Sequence, residues 1–251
     1  MELKLKGVHS GCKSGKLGAL FLTCLLAACP TRPPPPPAAV RAAPPPPIAP
    51  HVGRPYDIVA AQSLLTVLVY RGGPLASAGH NHVIASRTLA GTIYMPGDAL
   101  KSSFEVHLAV AELTVDAPEL RAAEARSDFP PDVPQSARDG TRRNMLGPAL
   151  LDADNYPEVV LRAVRLERAT GDGPPRVTAE MDAQVRDQHR ALSVPVAYQL
   201  EGDTVTVTGE TALRQSELGL TPFTALLGAL AVQDEMHVRF RIVARAAGGA
   251  L

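Results

Sequence analysis

Between residues 56 and 247 apolar and polar residues alternate with a period of two, segment after segment. Successive side chains of a β-strand point to opposite faces, so this alternation reads as strands with one buried face each. Val177, Ala179, Met181, Ala183 and Val185 alternate with Thr178, Glu180, Asp182 and Gln184. Phe104, Val106 and Leu108 alternate with Glu105 and His107; Val238, Phe240 and Ile242 alternate with His237, Arg239 and Arg241. Leu192, Val194, Val196, Tyr198 and Leu200 form a further set, as do Val205 and Val207. Val159 to Arg168, Leu65 to Arg71 and Val83 to Met95 supply more strand, with a short first strand at Tyr56 to Ala60. Eight or so such strands must enclose something, as a sandwich or a closed barrel.

Turn residues separate the segments at Arg71-Gly72-Gly73-Pro74, Pro96-Gly97-Asp98, Gly171-Asp172-Gly173-Pro174 and Glu201-Gly202-Asp203. Connections this short make neighbouring strands antiparallel, and the last one is a hairpin signal. One long break runs from Asp116 to Pro157. It predicts a helical turn at Pro118 to Glu124 and a helix from Gly140 or Thr141 through Leu146. A further helical piece is expected at Pro222 to Leu230.

The N-terminal part is a different material. Lys4, Lys6, Lys13 and Lys16 precede an uncharged stretch from Leu17 to Ala28, a basic n-region and an h-region of 12 residues. Twelve residues are too few to span a bilayer, which takes about 20, but suit a secretory signal peptide over residues 1–28. The stretch ends in Leu26-Ala27-Ala28-Cys29, which resembles the bacterial lipobox, so Cys29 is expected to be lipidated and to become the mature N-terminus. Residues 29–55 then form a linker; 12 of the chain's 24 prolines fall between Pro30 and Pro55. Polyproline lacks N–H donors and extends at about 3.1 Å per residue, so this linker reads as a semi-rigid stalk. Residues 56–247 are the expected barrel domain.

This division also sorts the composition. The chain's 25 basic and 25 acidic residues cancel, and loss of residues 1–28 leaves a mildly acidic domain. Nucleic-acid binding, which needs a dense basic footprint, is not expected. With Cys12 and Cys24 in the signal and Cys29 at the anchor, the domain has no thiol for catalysis or disulfides. No phosphate loop, Gly-x-Ser-x-Gly elbow or His-Glu-x-x-His motif occurs. The densest polar feature is Gly79-His80-Asn81-His82-Val83. Two histidines at i and i+2 on a strand share a face and could serve one metal, with a third ligand from His107, His189, His237 or Glu105. Two other readings stay open: a polar turn at a barrel mouth, and a contact to a ligand's head group.

Four stretches together resemble the YceI-like family of periplasmic polyisoprenoid-binding proteins. They are Gly79-His80-Asn81-His82-Val83-Ile84 with Leu89-Ala90-Gly91-Thr92-Ile93; Ser102 to Val106 through Leu113 to Asp116; Met145-Leu146 through Leu151-Asp152 and Tyr156-Pro157-Glu158-Val159; and Gln215-Ser216-Glu217-Leu218-Gly219. The likeness covers about Tyr56 to Ala244. Gln215 stands where the family has arginine, and Ala183-Gln184-Val185-Arg186-Asp187 lacks the family's glycine.

The resemblance implies an all-β fold: an eight-stranded antiparallel lipocalin-like β-barrel with short helices in its loops, around an apolar tunnel. It implies a non-enzymatic lipoprotein that binds a quinone-like isoprenoid lipid, with no other cofactor. The lipid anchor is expected to hold it to a membrane, the outer one, on the periplasmic side of the cell envelope. Expected ligand contacts are Phe104, Val106, Leu108, Met145, Met181, Val194, Val196, Phe223 and Phe240, with His80 and His82. The competing readings are a metal- or haem-dependent envelope enzyme built on His80 and His82, and a structural protein with a solid core. Oligomeric state is not legible.

Overall fold

The structure, a computed structural model, describes residues 45–124, 128–169 and 176–248. The signal peptide and Cys29 lie outside the described residues, as does the turn expected at Gly171 to Pro174.

Twelve strands form one continuous antiparallel sheet among the described residues. They are β1 (Arg54–Ile58), β2 (Leu64–Gly72), β3 (His82–Ser86), β4 (Ala90–Met95), β5 (Ser103–Ala109), β6 (Thr114–Val115), β7 (Glu158–Arg168), β8 (Arg176–Val185), β9 (Gln188–Glu201), β10 (Thr204–Arg214), β11 (Thr224–Ala225) and β12 (Leu230–Ala246). Three pairs act as single broken strands. β12 runs beside both β1, through Tyr56↔Ala246, and β2, through Leu65↔Phe240. β4 continues β3 and pairs β1, while β3 pairs β2. β6 continues β5, pairing β3 where β5 pairs β4. Eight positions result, each beside its neighbour in chain order, and β12 closes the ring on β1 and β2. The closed barrel, not the sandwich, is the architecture.

The break between β1 and β2 has a visible cause. A short 3-10 turn at Ala60–Gln62 lifts the chain off the ladder, and the buried Ser63 hydroxyl repairs the gap. Ser63 Oγ donates to Val59 O at 2.9 Å and accepts from Val243 N at 3.0 Å.

The alternation in the sequence sets the faces. Val177, Ala179, Met181, Ala183 and Val185 of β8 point inward and join Leu192, Val194 and Val196 of β9 in the main apolar cluster. Polar partners point outward, where Arg162 of β7 bonds Glu105 of β5 at 2.7 Å. The expected hairpin turns at Gly202, with φ +56°.

The long connection from β6 to β7 carries two helices, α1 (Pro118–Ala123) and α2 (Gln135–Leu146). α2 starts earlier than Gly140, the expected start, because Pro134 fixes the backbone one residue ahead of Gln135 and Gly140 is tolerated inside. Leu120 near Phe129 covers Leu68 and Val83 on the outside of the wall. Met145 of α2 meets Ile84, Val110 and Leu113 at one end of the barrel. The helix expected at Pro222 to Leu230 is instead β11 and a tight turn into β12. Three successive left-handed residues there, Leu226, Leu227 and Gly228, are incompatible with a helix.

Candidate functional site: the barrel lumen

The inward residues do not fill the barrel. A cavity of about 330 Å3 lies inside it, within the usual range of small-molecule sites (about 300–1,000 Å3). The small side chains Ala179 and Ala183, both fully buried, contribute to the space. The wall extends from Met95, Ser102 and Val205 at one end to Leu113, Leu150 and Leu220 at the other. A solid core is therefore not what the strands build.

Nearly every group on this wall is apolar. The few polar ones are mostly turned to the backbone: Ser103 Oγ donates to Pro50 O at 3.0 Å and Gln215 Nε2 to Gln233 O at 2.8 Å. Ser102 Oγ is buried without a partner. A lumen of this kind has little with which to hold a charged or sugar-like ligand, and it favours hydrocarbon by burial, at about 25 cal/mol per Å2.

Of the residues expected to contact a ligand, Phe104, Val106, Leu108, Met145, Met181, Val194, Val196 and Phe240 line the cavity. Phe223 does not; it precedes β11, which pairs β12 outside the eight ring positions, and is 36% exposed. His80 and His82 are not in the wall either. Leu113, Leu150, Leu151, Leu220 and Met236 belong to it and were missed. The loop residues among them carry no period-two signal, although the apolar pair Leu150-Leu151 amid polar loop sequence was a usable cue.

His82 sits in a buried polar cluster beside the wall. Its Nδ1 lies 2.6 Å from Asp116 Oδ2, and its Nε2 lies 3.0 Å from Thr141 Oγ1 of α2. A carboxylate only accepts, so Nδ1 carries the proton; in the neutral ring Nε2 accepts from Thr141. Asp116 Oδ1 also accepts from Val83 N at 2.9 Å and from the fully buried Arg121 at 2.6 Å. Burial alone would raise the Asp116 carboxyl, but His82, the Val83 N–H and Arg121 together hold it below the ordinary carboxylate value. Arg121 further bonds Asn81 O and Pro130 O. The cluster fastens β3, α1 and α2 to one another.

His80 precedes β3 rather than lying on it, so the two imidazoles do not share a strand face; their rings are 6.1 Å apart and tilted. Desolvation first, and then the proximity of the His82 ring and the Arg121 guanidinium, push His80 below its ordinary value. With both nitrogens of His82 engaged, the pair offers a metal or haem no converging ligand set. Among the described residues no group of three or more His, Cys, Asp or Glu side chains could hold a metal ion.

The family comparison settles the lineage. The model of the YceI-like domain matches residues 56–244. The chain belongs to the YceI-like family. Two solved structures share its fold. One is BcnA of Burkholderia cenocepacia, with a TM-score of 0.53 and 15% identity, covering 74% of this chain and 98% of that one. The other is a polyisoprenoid binding domain from Saccharophagus degradans implicated in plant cell wall breakdown, with a TM-score of 0.52 and 12% identity, covering 80% and 99%. A search of the curated proteins returned no match. At these identities the likeness to the two structures carries the fold and not the ligand.

Proposed function

We propose that this protein binds a long apolar lipid of the polyisoprenoid class inside its barrel, holding or carrying it rather than transforming it. The observation that carries this reading is the lumen itself: an unfilled cavity whose wall is almost wholly hydrocarbon. Membership of the YceI-like family and the fold shared with a polyisoprenoid binding domain support the ligand class. Contacts fall to Phe104, Val106, Leu108, Met145, Met181, Val194, Val196 and Phe240. The Leu26-Ala27-Ala28-Cys29 run and the proline stalk support a protein tethered by lipid at Cys29 on the periplasmic face of the envelope, at the outer membrane.

Native mass spectrometry of protein purified from its own envelope tests the first part. A stoichiometric adduct that organic extraction identifies as an isoprenoid is expected; lipid-free protein, or a water-soluble adduct, would overturn the reading. For the tether, the mature N-terminal peptide should carry acyl chains on Cys29, and Cys29→Ala should abolish the acylated form.

A further inference from the structure

We infer that the hairpin turn joining β11 to β12 is a bilayer-inserting finger, through which the barrel meets the membrane that supplies its lipid. This rests on the lipid-binding function proposed above.

The turn presents two leucines to solvent: Leu226 is 68% exposed and Leu227 fully so. Both adopt left-handed backbone, with φ +51° and +56°, a region that branched side chains rarely occupy. Such strain persists only where the surroundings impose it. Here they do: Ala225 pairs with Leu230, Val232 N donates to Phe223 O at 2.9 Å, and Leu75 N donates to Ala229 O at 2.8 Å. The fold thus holds the two leucines outward when the same turn could have been made with glycine or asparagine.

Neighbouring side chains enlarge the patch. Phe223 is 36% exposed, and Leu75, from the β2–β3 connection bonded to this turn, is 46% exposed. Neither contributing segment brings a permanently charged side chain, and the two histidines present, His80 and His82, stand at the base of the loop against β3. Residues 218–233 contain no Asp, Glu, Lys or Arg, and neither do residues 72–86. At the base of the two loops Arg71 donates to Gly79 O at 2.9 Å, placing a cation behind the apolar tip. An apolar tip backed by a cation matches the order of acyl chain and phosphate from the bilayer interior outward.

A second copy of the chain is a poorer fit. Four side chains on two loop tips fall well short of the roughly 800 Å2 per partner of a stable protein interface. A bilayer needs only a few inserted groups. Position also favours it: the turn leads into β12, whose Met236 and Val238 line the cavity, at the end of the barrel where Met145 and Leu220 reach it.

The absence of tryptophan from the chain gives a direct test. Leu227→Trp in the full chain places one reporter at the finger, and Leu200→Trp places one at the opposite end of the barrel on another exposed leucine. Vesicles of phosphatidylethanolamine and phosphatidylglycerol are expected to shift Leu227→Trp emission to shorter wavelength, with quenching by brominated acyl chains, and to leave Leu200→Trp unchanged. Unshifted emission, or equal shifts in both, would overturn the inference. A shift that follows protein concentration without vesicles would overturn it in favour of self-association. Bound lipid is measured on the same preparations. Lipid present with unshifted emission removes the finger alone, whereas lipid absent removes the binding function whatever the emission does.

Discussion

Asp116 is fully buried on a left-handed backbone, φ +52°, and its two oxygens hold His82 and Arg121 at 2.6 Å each. Removing its charge while keeping its shape leaves Arg121 buried and unpaired. Asp116→Asn is expected to cost about 3 kcal/mol, since breaking one side of a buried ion pair costs about that much, while asparagine tolerates the same φ. Urea unfolding measures it. Thr141→Val, which removes a single hydrogen bond to His82, should cost only about 1 kcal/mol.

Acid should reproduce the first effect. The Asp116 carboxyl is held below its ordinary value, so its contribution is full above that value and fades as pH falls through the lowered one. Thermal midpoints should drop in this acid range for the parent and much less for Asp116→Asn. A parallel decline in both proteins would show that other carboxyls dominate.

On the outside of the barrel His107 bridges two carboxylates, Glu105 at 2.9 Å and Glu158 at 3.0 Å. Partial burial disfavours its charge, but the two hydrogen bonds outweigh this and raise it above its ordinary 6.5. Glu105 is lowered, first by its bond to Arg162, then by His107 and despite desolvation. The His107 contribution is therefore full below pH 6.5 and is lost as pH rises through the raised value. The Glu105 contribution is full above 4.5 and is lost as pH falls through the lowered value. Stability differences between the parent and His107→Gln should be largest between these limits and shrink on the alkaline side, read as thermal midpoint against pH.

Val106→Phe adds volume to a wall residue facing empty space. Filling an apolar void regains lost contacts, so lipid-free protein should gain up to about 1 kcal/mol. Lipid occupancy by native mass spectrometry should fall at the same time. Loss of both stability and occupancy would mean that the space is too tight for the ring.

Gly91 has φ +130°, and a Cβ there would lie 2.0 Å from Glu105 O across the β4–β5 ladder. Gly91→Ala should destabilise by several kcal/mol or prevent folding, because backbone must move. Gly97→Ala, whose Cβ would meet nothing within 4 Å, should stay within about 0.5 kcal/mol of the parent. Soluble yield and thermal midpoint report both.

The strands were legible because alternation is a local signal that the barrel obeys: β8 from Val177 to Val185 and β12 from His237 to Ile242 could be read residue by residue. The cavity wall followed from the same signal, which is why seven of its strand residues, from Phe104 to Phe240, were expected to line it. What failed was set by tertiary partners. His80 and His82 looked like a pair because they are two apart, yet β3 begins only at His82, and Asp116 and Thr141 take its nitrogens. Leu226-Leu227 looked helical because apolar runs in loops have no period, and the pairing of β11 with β12 overrode it. Arg121 gave no hint of full burial; only the fold brings Asp116, Asn81 and Pro130 around it.

The seam made by β12 has a consequence for how the molecule comes into being. Ser63 and Val243, bonded across it, are separated by 180 residues, and no earlier strand can substitute for β12. Until the last strand is available, every partial sheet has two raw edges, and contacts this distant in sequence assemble slowly. A ribosome that has not yet delivered β12 holds nothing that can close the barrel. The wall therefore stays open, and its apolar faces exposed, until β12 has been made.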